Sequence, residues 1–156
     1  KQHFREQKIK KTYLAFGHGH LKQKAGTINT PVAKLGVLRT TSLLGKRLLA
    51  GQEAITEYKV LAHYSLPTAH YSLLEVSPRT GRTHQIRLHL KFIGHTVVCD
   101  RFYRTKKEIC PPELNRLFLH AQKLSFTSPT GEALALEADL PPELQRFLEI
   151  LPKQQN

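Results

Sequence analysis

Between Ser77 and Asp100 the chain reads SPRTGRTHQIRLHLKFIGHTVVCD. It gathers two guanidinium groups (Arg82, Arg87), three imidazoles (His84, His89, His95) and an amide (Gln85) within fourteen residues of Gly81. Cations grouped this way can bind phosphates or keep a neighbouring carboxylate ionised in a dry pocket. An apolar run, Tyr71 to Val76, leads into the cluster, so the pattern is strand, tight turn, helix. Pro78 and Gly81 bracket the turn, Pro with a fixed φ and Gly free to take φ > 0, and Thr83 is placed to cap the helix. Ile86, Leu90 and Ile93 recur at i, i+4 and i+7, which turns one face inward, and Gly94 stands where the helix should end. Arg87 follows Ile86 by one residue, about 100° round the helix, so it borders the core without being immersed in it.

The elements around this unit are predominantly strands. Lys1 to Ile9 reads as the tail of a helix, and Lys10 to Gly17 alternates as a strand that carries Tyr13 between Thr12 and Leu14. Gly19 to Thr41, rich in Lys, Gly and Thr and interrupted by Pro31, predicts short strands joined by basic loops. Leu43 to Ala50 is leucine-rich and basic, and fits either a helical turn or a loop. Ile55 to Tyr64 and His70 to Val76 pair across a turn at Ser65 to Thr68. Leu117 to Thr127 and Ala133 to Ala138 form a hairpin around Ser128-Pro-Thr-Gly131. Pro141 to Leu151 is an amphipathic helix with Leu144, Phe147, Leu148 and Leu151 on one face, and Asp139 is placed to cap it. The sum is an α+β fold, a mixed, largely antiparallel sheet with flanking helices, in a single domain over residues 1–156.

Charge narrows the partner. The 24 Lys and Arg outweigh 12 Asp and Glu for a net +12, and the excess is localised. Lys1 to Ala50 hold eleven basic residues against Glu6 alone, whereas Arg101 to Asn156 hold eight against seven acidic ones. A polyanion is the expected partner. Cys99 and Cys110 do not form a C-x-x-C site, and read as reduced thiols of a cytoplasmic protein. His18-Gly-His20 has no nearby Cys or carboxylate to complete a ligand set and reads as a loop. His120 reads as a buried, hydrogen-bonded histidine. No apolar run approaches a membrane span, and there is no Walker-type loop.

The Gly81-Arg-Thr-His-Gln-Ile-Arg87-x-His89 segment resembles the corresponding motif of the RluA-type pseudouridine synthases, which include enzymes of large-subunit ribosomal RNA. Asp100 followed by Phe102 and Tyr103 is similar to that family's post-helix segment, although Cys99 stands where a Gly is usual. Lys11-Thr-Tyr-Leu-Ala15, Ala54-Ile-Thr-Glu-Tyr58 and Leu119-His-Ala121 match further, in the family's order. The resemblance implies isomerisation of uridine to pseudouridine in RNA, with no cofactor and no metal. It implies catalytic roles for Tyr13 as an aromatic platform and Arg87 as the cation beside a carboxylate. Ile86, Arg82, His84, Lys10 and Lys11 would contact substrate, Arg82 and His84 alternatively only shaping the turn.

The family's carboxylate belongs to a His-Arg-Leu-Asp motif, and residues 1–156 contain none. The aspartates are Asp100 and Asp139, both assigned structural work, and the reach of Glu57 and Glu75 is open. The expectation is therefore the later part of a synthase catalytic domain, its nucleophile upstream of Lys1, inactive alone. A non-catalytic RNA-binding module with the same fold is the alternative. A basic nucleic-acid packaging protein is a third reading, for which no motif speaks.

Overall fold

The computed structural model describes residues 9–35, 38–41, 43–44, 47–48 and 51–154. The helix expected over Lys1 to Ile9 lies outside these residues, Ile9 excepted. The strands are β1 (Lys10–His18), β2 (Ala25–Asn29), β3 (Val32–Leu35), β4 (Leu38–Thr41), β5 (Leu43–Leu44), β6 (Arg47–Leu48), β7 (Gly51–Gln52), β8 (Ile55–Leu66), β9 (Ala69–Pro78), β10 (Leu119–Thr127) and β11 (Ala133–Glu137). The helices are α1 (Gln85–Phe92) and α2 (Pro142–Ile150). Six strands form one sheet in the order β11-β10-β1-β9-β8-β2, and β4-β3-β7 and β5-β6 form two small ones. Every ladder between these strands is antiparallel.

Alternation along β1 sends successive side chains to opposite faces. Ala15 packs with Leu74, Val76, Ile86 and Leu90, which seats α1 on one face. Phe16 packs with Leu144 and Phe147 and so seats α2 on the other. In β8 the pairing slips between Val60 and Ala62, so Val60 faces α1 and Ala62 faces α2. An extra residue in a strand produces that switch, because the side-chain period is two. The expected hairpins, the Lys10 strand and the terminal helix are all present.

Four local expectations are corrected. Thr83 does not cap α1: His84 holds that place in the left-handed region (φ 57°), with no side-chain cap, and Gly81 does not use positive φ. Asp139 does not cap α2, which starts from Pro141 without a side-chain cap. Leu43 to Ala50 is a minimal hairpin, β5–β6, where it is described, and neither a helical turn nor a loop. Cys99 and Cys110 are joined in a disulfide instead of standing as free thiols, since the turns after α1 bring their Cα atoms to 4.6 Å. Cys99 itself has φ 62°. That conformation favours glycine, which is why a glycine is the expected residue there. His120 is half-buried, its Nε2 donating to the carbonyl of Ala138 at 3.0 Å. Gly94, by contrast, has φ +85° directly after α1, the left-handed terminator its position predicts.

Candidate functional site

The turn between β9 and α1 is built on Gln85. Its buried amide oxygen accepts from Thr80 Oγ1 (2.8 Å) and Arg82 N (3.0 Å), while Nε2 donates to Ile55 O (2.9 Å) and Thr56 Oγ1 (3.0 Å). All four bonding positions of the amide are thus filled, and they tie the turn to the start of β8. Ile55 N in turn donates to Thr80 Oγ1 at 3.0 Å. This frame sets the direction of α1 and hence of Arg87.

Arg87 is held from three sides. Its Nε and Nη2 donate to Asp100 Oδ2 and Oδ1 at 2.7 and 2.6 Å, a two-pronged ion pair in which the arginine side chain is 12% exposed and the aspartate is fully buried. Its guanidinium carbon lies 4.8 Å from the ring centroid of Tyr103 and 5.3 Å from that of Phe102. Asp100 Oδ1 also accepts from the backbone N–H of Phe102 (2.9 Å) and Tyr103 (3.0 Å), so one carboxylate folds the turn and aligns the cation. The structural role expected of Asp100 therefore extends to a direct hold on Arg87. His84 Nδ1 lies 2.9 Å from the Tyr103 hydroxyl. Burial, and next the charge of Arg87, push the His84 pKa below its ordinary value against the pull of Asp100.

On α1 one turn further, His89 is fully buried. Its Nε2 is 2.8 Å from Thr30 O, and because a carbonyl only accepts, this nitrogen carries the hydrogen. Nδ1 is then an unprotonated, buried nitrogen with no partner among the described residues. Burial lowers the His89 pKa, opposed by the Thr30 bond.

Tyr13 reaches the same region from β1. It pairs with Val76 on β9 and with Ala121 on β10, and the β1–β10 register slips between Thr12 and Tyr13, leaving Gln122 as the extra residue. A bulge at this point twists the ladder and re-aims the side chain beside it. The ring rests half-buried against the cluster that contains Ile86.

A cleft of about 330 Å³ is lined by Lys11, Tyr13, Pro78, Thr80, Gly81, Arg82, His84, Gln85, Ile86, Arg87, Leu117 and Leu119. It brings together six of the seven residues singled out from the sequence: Tyr13, Arg87, Ile86, Arg82, His84 and Lys11. Lys10 is exposed at the start of β1 and does not line it. Leu117 and Leu119 were missed, and nothing in a short apolar stretch running into the start of β10 marks it as a cleft wall. No Asp or Glu is among the described residues lining the cleft. Glu57 is paired with Arg79 at 2.9 Å, and neither it nor Glu75 borders the cleft. His18, His20 and the other ligating side chains form no group of three able to hold a metal among the described residues. No described helix is long and apolar enough to cross a membrane.

An apolar slot with an aromatic wall and a fixed guanidinium suits a flat, polar-edged ring such as a nucleobase, with cations at the rim for phosphates. Comparison with known proteins gives the family. Residues 1–92 match the RNA pseudouridylate synthase family. Ribosomal large subunit pseudouridine synthase C of Salmonella typhi is 34% identical over 156 residues, covering 96% of this chain and 47% of that protein. An uncharacterized RNA pseudouridine synthase of Aquifex aeolicus is 40% identical over 144 residues, covering 88% of this chain and 44% of its own length. The chain thus spans about half the length of these curated relatives. Among solved structures, human RNA pseudouridylate synthase domain containing 1 superposes with a TM-score of 0.79 at 27% identity, over 92% of this chain and 60% of that one. More than half of the sequence matches the family and nearly all of its fold superposes on a member, so this chain belongs to the RNA pseudouridylate synthase family.

Proposed function

We propose that this chain forms the base-holding part of a pseudouridine synthase catalytic site acting on RNA, with large-subunit ribosomal RNA the favoured substrate. The observation that carries the reading is the meeting of Tyr13, Ile86 and Arg87 in one cleft, from β1 and α1, in a chain of this family. The reaction breaks the C1′–N1 bond of uridine, turns the ring and forms C1′–C5; C5 loses its proton and N1 gains one. No electrons are exchanged with a cofactor. A uridine leaves its stack before it can react. Tyr13 supplies a π-face to the extruded ring, and Ile86 packs on its edge. Arg87, fixed by Asp100, is the cation for the reacting carboxylate. Arg82 and His84 shape the rim, while Lys10 and Lys11 take backbone phosphates.

The reacting carboxylate is the component this chain does not place. Asp100 is committed to Arg87 and two backbone amides, and Asp139 is exposed away from the cleft. Residues 1–156 alone therefore bind RNA without isomerising it, and a polypeptide carrying the family's His-Arg-Leu-Asp motif completes the site.

A uridine-containing RNA with 2-aminopurine beside the target tests the base-holding role, because extrusion of the uridine unstacks the probe and raises its fluorescence. Tyr13→Ala should abolish that rise while leaving affinity within about tenfold, the scale of one lost stacking contact. Lys10→Gln with Lys11→Gln should weaken binding of all sequences alike. An undiminished rise with Tyr13→Ala removes Tyr13 from the site.

A further inference from the structure

A second cleft, of about 290 Å³, lies beside the first. Lys34, Arg39, Gln52, Arg82 and Thr83 are among its lining residues, and Arg82 borders both clefts. Arg82 is a fixed wall between them, since its Nε donates to Glu53 O at 3.0 Å. Lys34 and Arg39 are direct cross-strand partners in the antiparallel β3–β4 ladder. Like charges set opposite one another in a ladder repel. No carboxylate lines this cleft among the described residues, and neither Lys34 nor Arg39 belongs to an ion pair among them. An anion seated between the two cations would relieve that repulsion. Gln52 and Thr83 add a neutral amide and a hydroxyl suited to anion oxygens.

We infer that this second cleft is a phosphodiester subsite, taking the backbone phosphate next to the nucleotide whose base enters the Tyr13–Arg87 cleft. It rests on the base-holding reading above. Because Arg82 is the shared wall, a strand that delivers a base into the first cleft runs its backbone past the second. Lys34 and Arg39 grip that phosphate, and Arg82 marks the passage between base and backbone.

The test is a charge-neutralisation cycle read by fluorescence anisotropy on a short uridine-centred RNA. One linkage at a time is replaced by methylphosphonate, which removes its charge. In the unsubstituted protein, one linkage flanking the uridine should cost about tenfold in affinity, the scale of a charge-assisted contact. In Lys34→Gln/Arg39→Gln the same replacement should cost nothing, and the slope of log K against log salt should be shallower by about 0.7, the share of one single-strand phosphate. Lys106→Gln/Lys107→Gln, which removes two exposed charges outside both clefts, should leave the linkage effect intact. Lys34→Gln/Arg39→Gln should not lower Tm at low salt, because it lifts a repulsion, and this shows that the variant folds. If every linkage costs the double variant as much as the unsubstituted protein, the subsite is overturned, while a Tyr13→Ala effect on the 2-aminopurine signal keeps the base-holding reading. If the linkage effect survives but Tyr13→Ala leaves that signal unchanged, the base-holding reading falls and takes the proposed strand path with it.

Discussion

Replacing Asp100 with Asn changes one atom and should unsettle both the fold and the cleft. The carboxylate is fully buried and receives four donors: Arg87 Nε (2.7 Å), Arg87 Nη2 (2.6 Å), Phe102 N (2.9 Å) and Tyr103 N (3.0 Å). An asparagine can keep Oδ1 toward the two backbone amides and Nη2, but its NH2 then faces the Nε–H of Arg87, donor against donor. Breaking a buried pair from one side costs about 3–5 kcal/mol. The Arg87 side chain is 12% exposed and regains some water, so a loss near the lower end, about 3 kcal/mol, is expected. Urea unfolding measures it, and an Arg87→Met/Asp100→Asn cycle separates the pair from the backbone bonds. The pair should show a coupling of at least about 1.5 kcal/mol, the scale of charged hydrogen bonds. A total loss below about 1 kcal/mol, the range of an exposed pair, would refute the view that this contact fixes Arg87.

Reducing Cys99–Cys110, whose residues are 11 apart, should lower stability by about 3 kcal/mol on loop entropy, and it should loosen the turn carrying Asp100, Phe102 and Tyr103; identical Tm with and without dithiothreitol would contradict this. Acid should destabilise the fold through its histidines. His84 and His89 have pKa values lowered from 6.5, mainly by burial. Below pH 6.5 the unfolded chain therefore binds protons that the folded chain refuses, and stability falls by up to about 1.4 kcal/mol per pH unit for each histidine that stays neutral. Unfolding curves at pH 7.5 and 5.5 check the sign, and His89→Asn should flatten the slope. Arg87→Lys should lose the two-pronged contact, and in a synthase completed with its carboxylate it should reduce turnover by at least about a hundredfold; near-normal turnover would remove Arg87 from the chemistry.

The inward face of α1 was legible because a period of 3.6 sets Ile86 and Leu90 on one side; in β1 alternation marks the strand but not its burial, since Leu14, Ala15 and Phe16 are all buried, with α1 covering one face and α2 the other. The resemblance around Gly81 to His89 pointed to the residues that meet in the cleft. The frame that holds them there was not legible. Gln85 reads as one amide among many until the fold brings Ile55 and Thr56, some thirty residues away, to its NH2. Asp100 read as a structural residue of the post-helix segment, and its partner Arg87 is separated from it by 13 residues and a helix end. Spacing alone cannot say that Cys99 and Cys110 meet, since that depends on the turns between them. Nor could Thr83 be rejected as a cap from its type, because His84 takes the left-handed conformation at that place and bonds Tyr103.

The central claim is that this chain supplies the cleft for a uridine and not the carboxylate that reacts with it. Tritium release from RNA labelled at uridine C5 measures this directly, because C5 must lose its hydrogen when C1′ is joined to it. Residues 1–156 alone should release nothing above the no-protein control, and adding the family segment with His-Arg-Leu-Asp should restore release that Tyr13→Ala and Arg87→Lys diminish. Release of tritium by residues 1–156 alone would contradict the account, since it would place the reacting carboxylate within this chain.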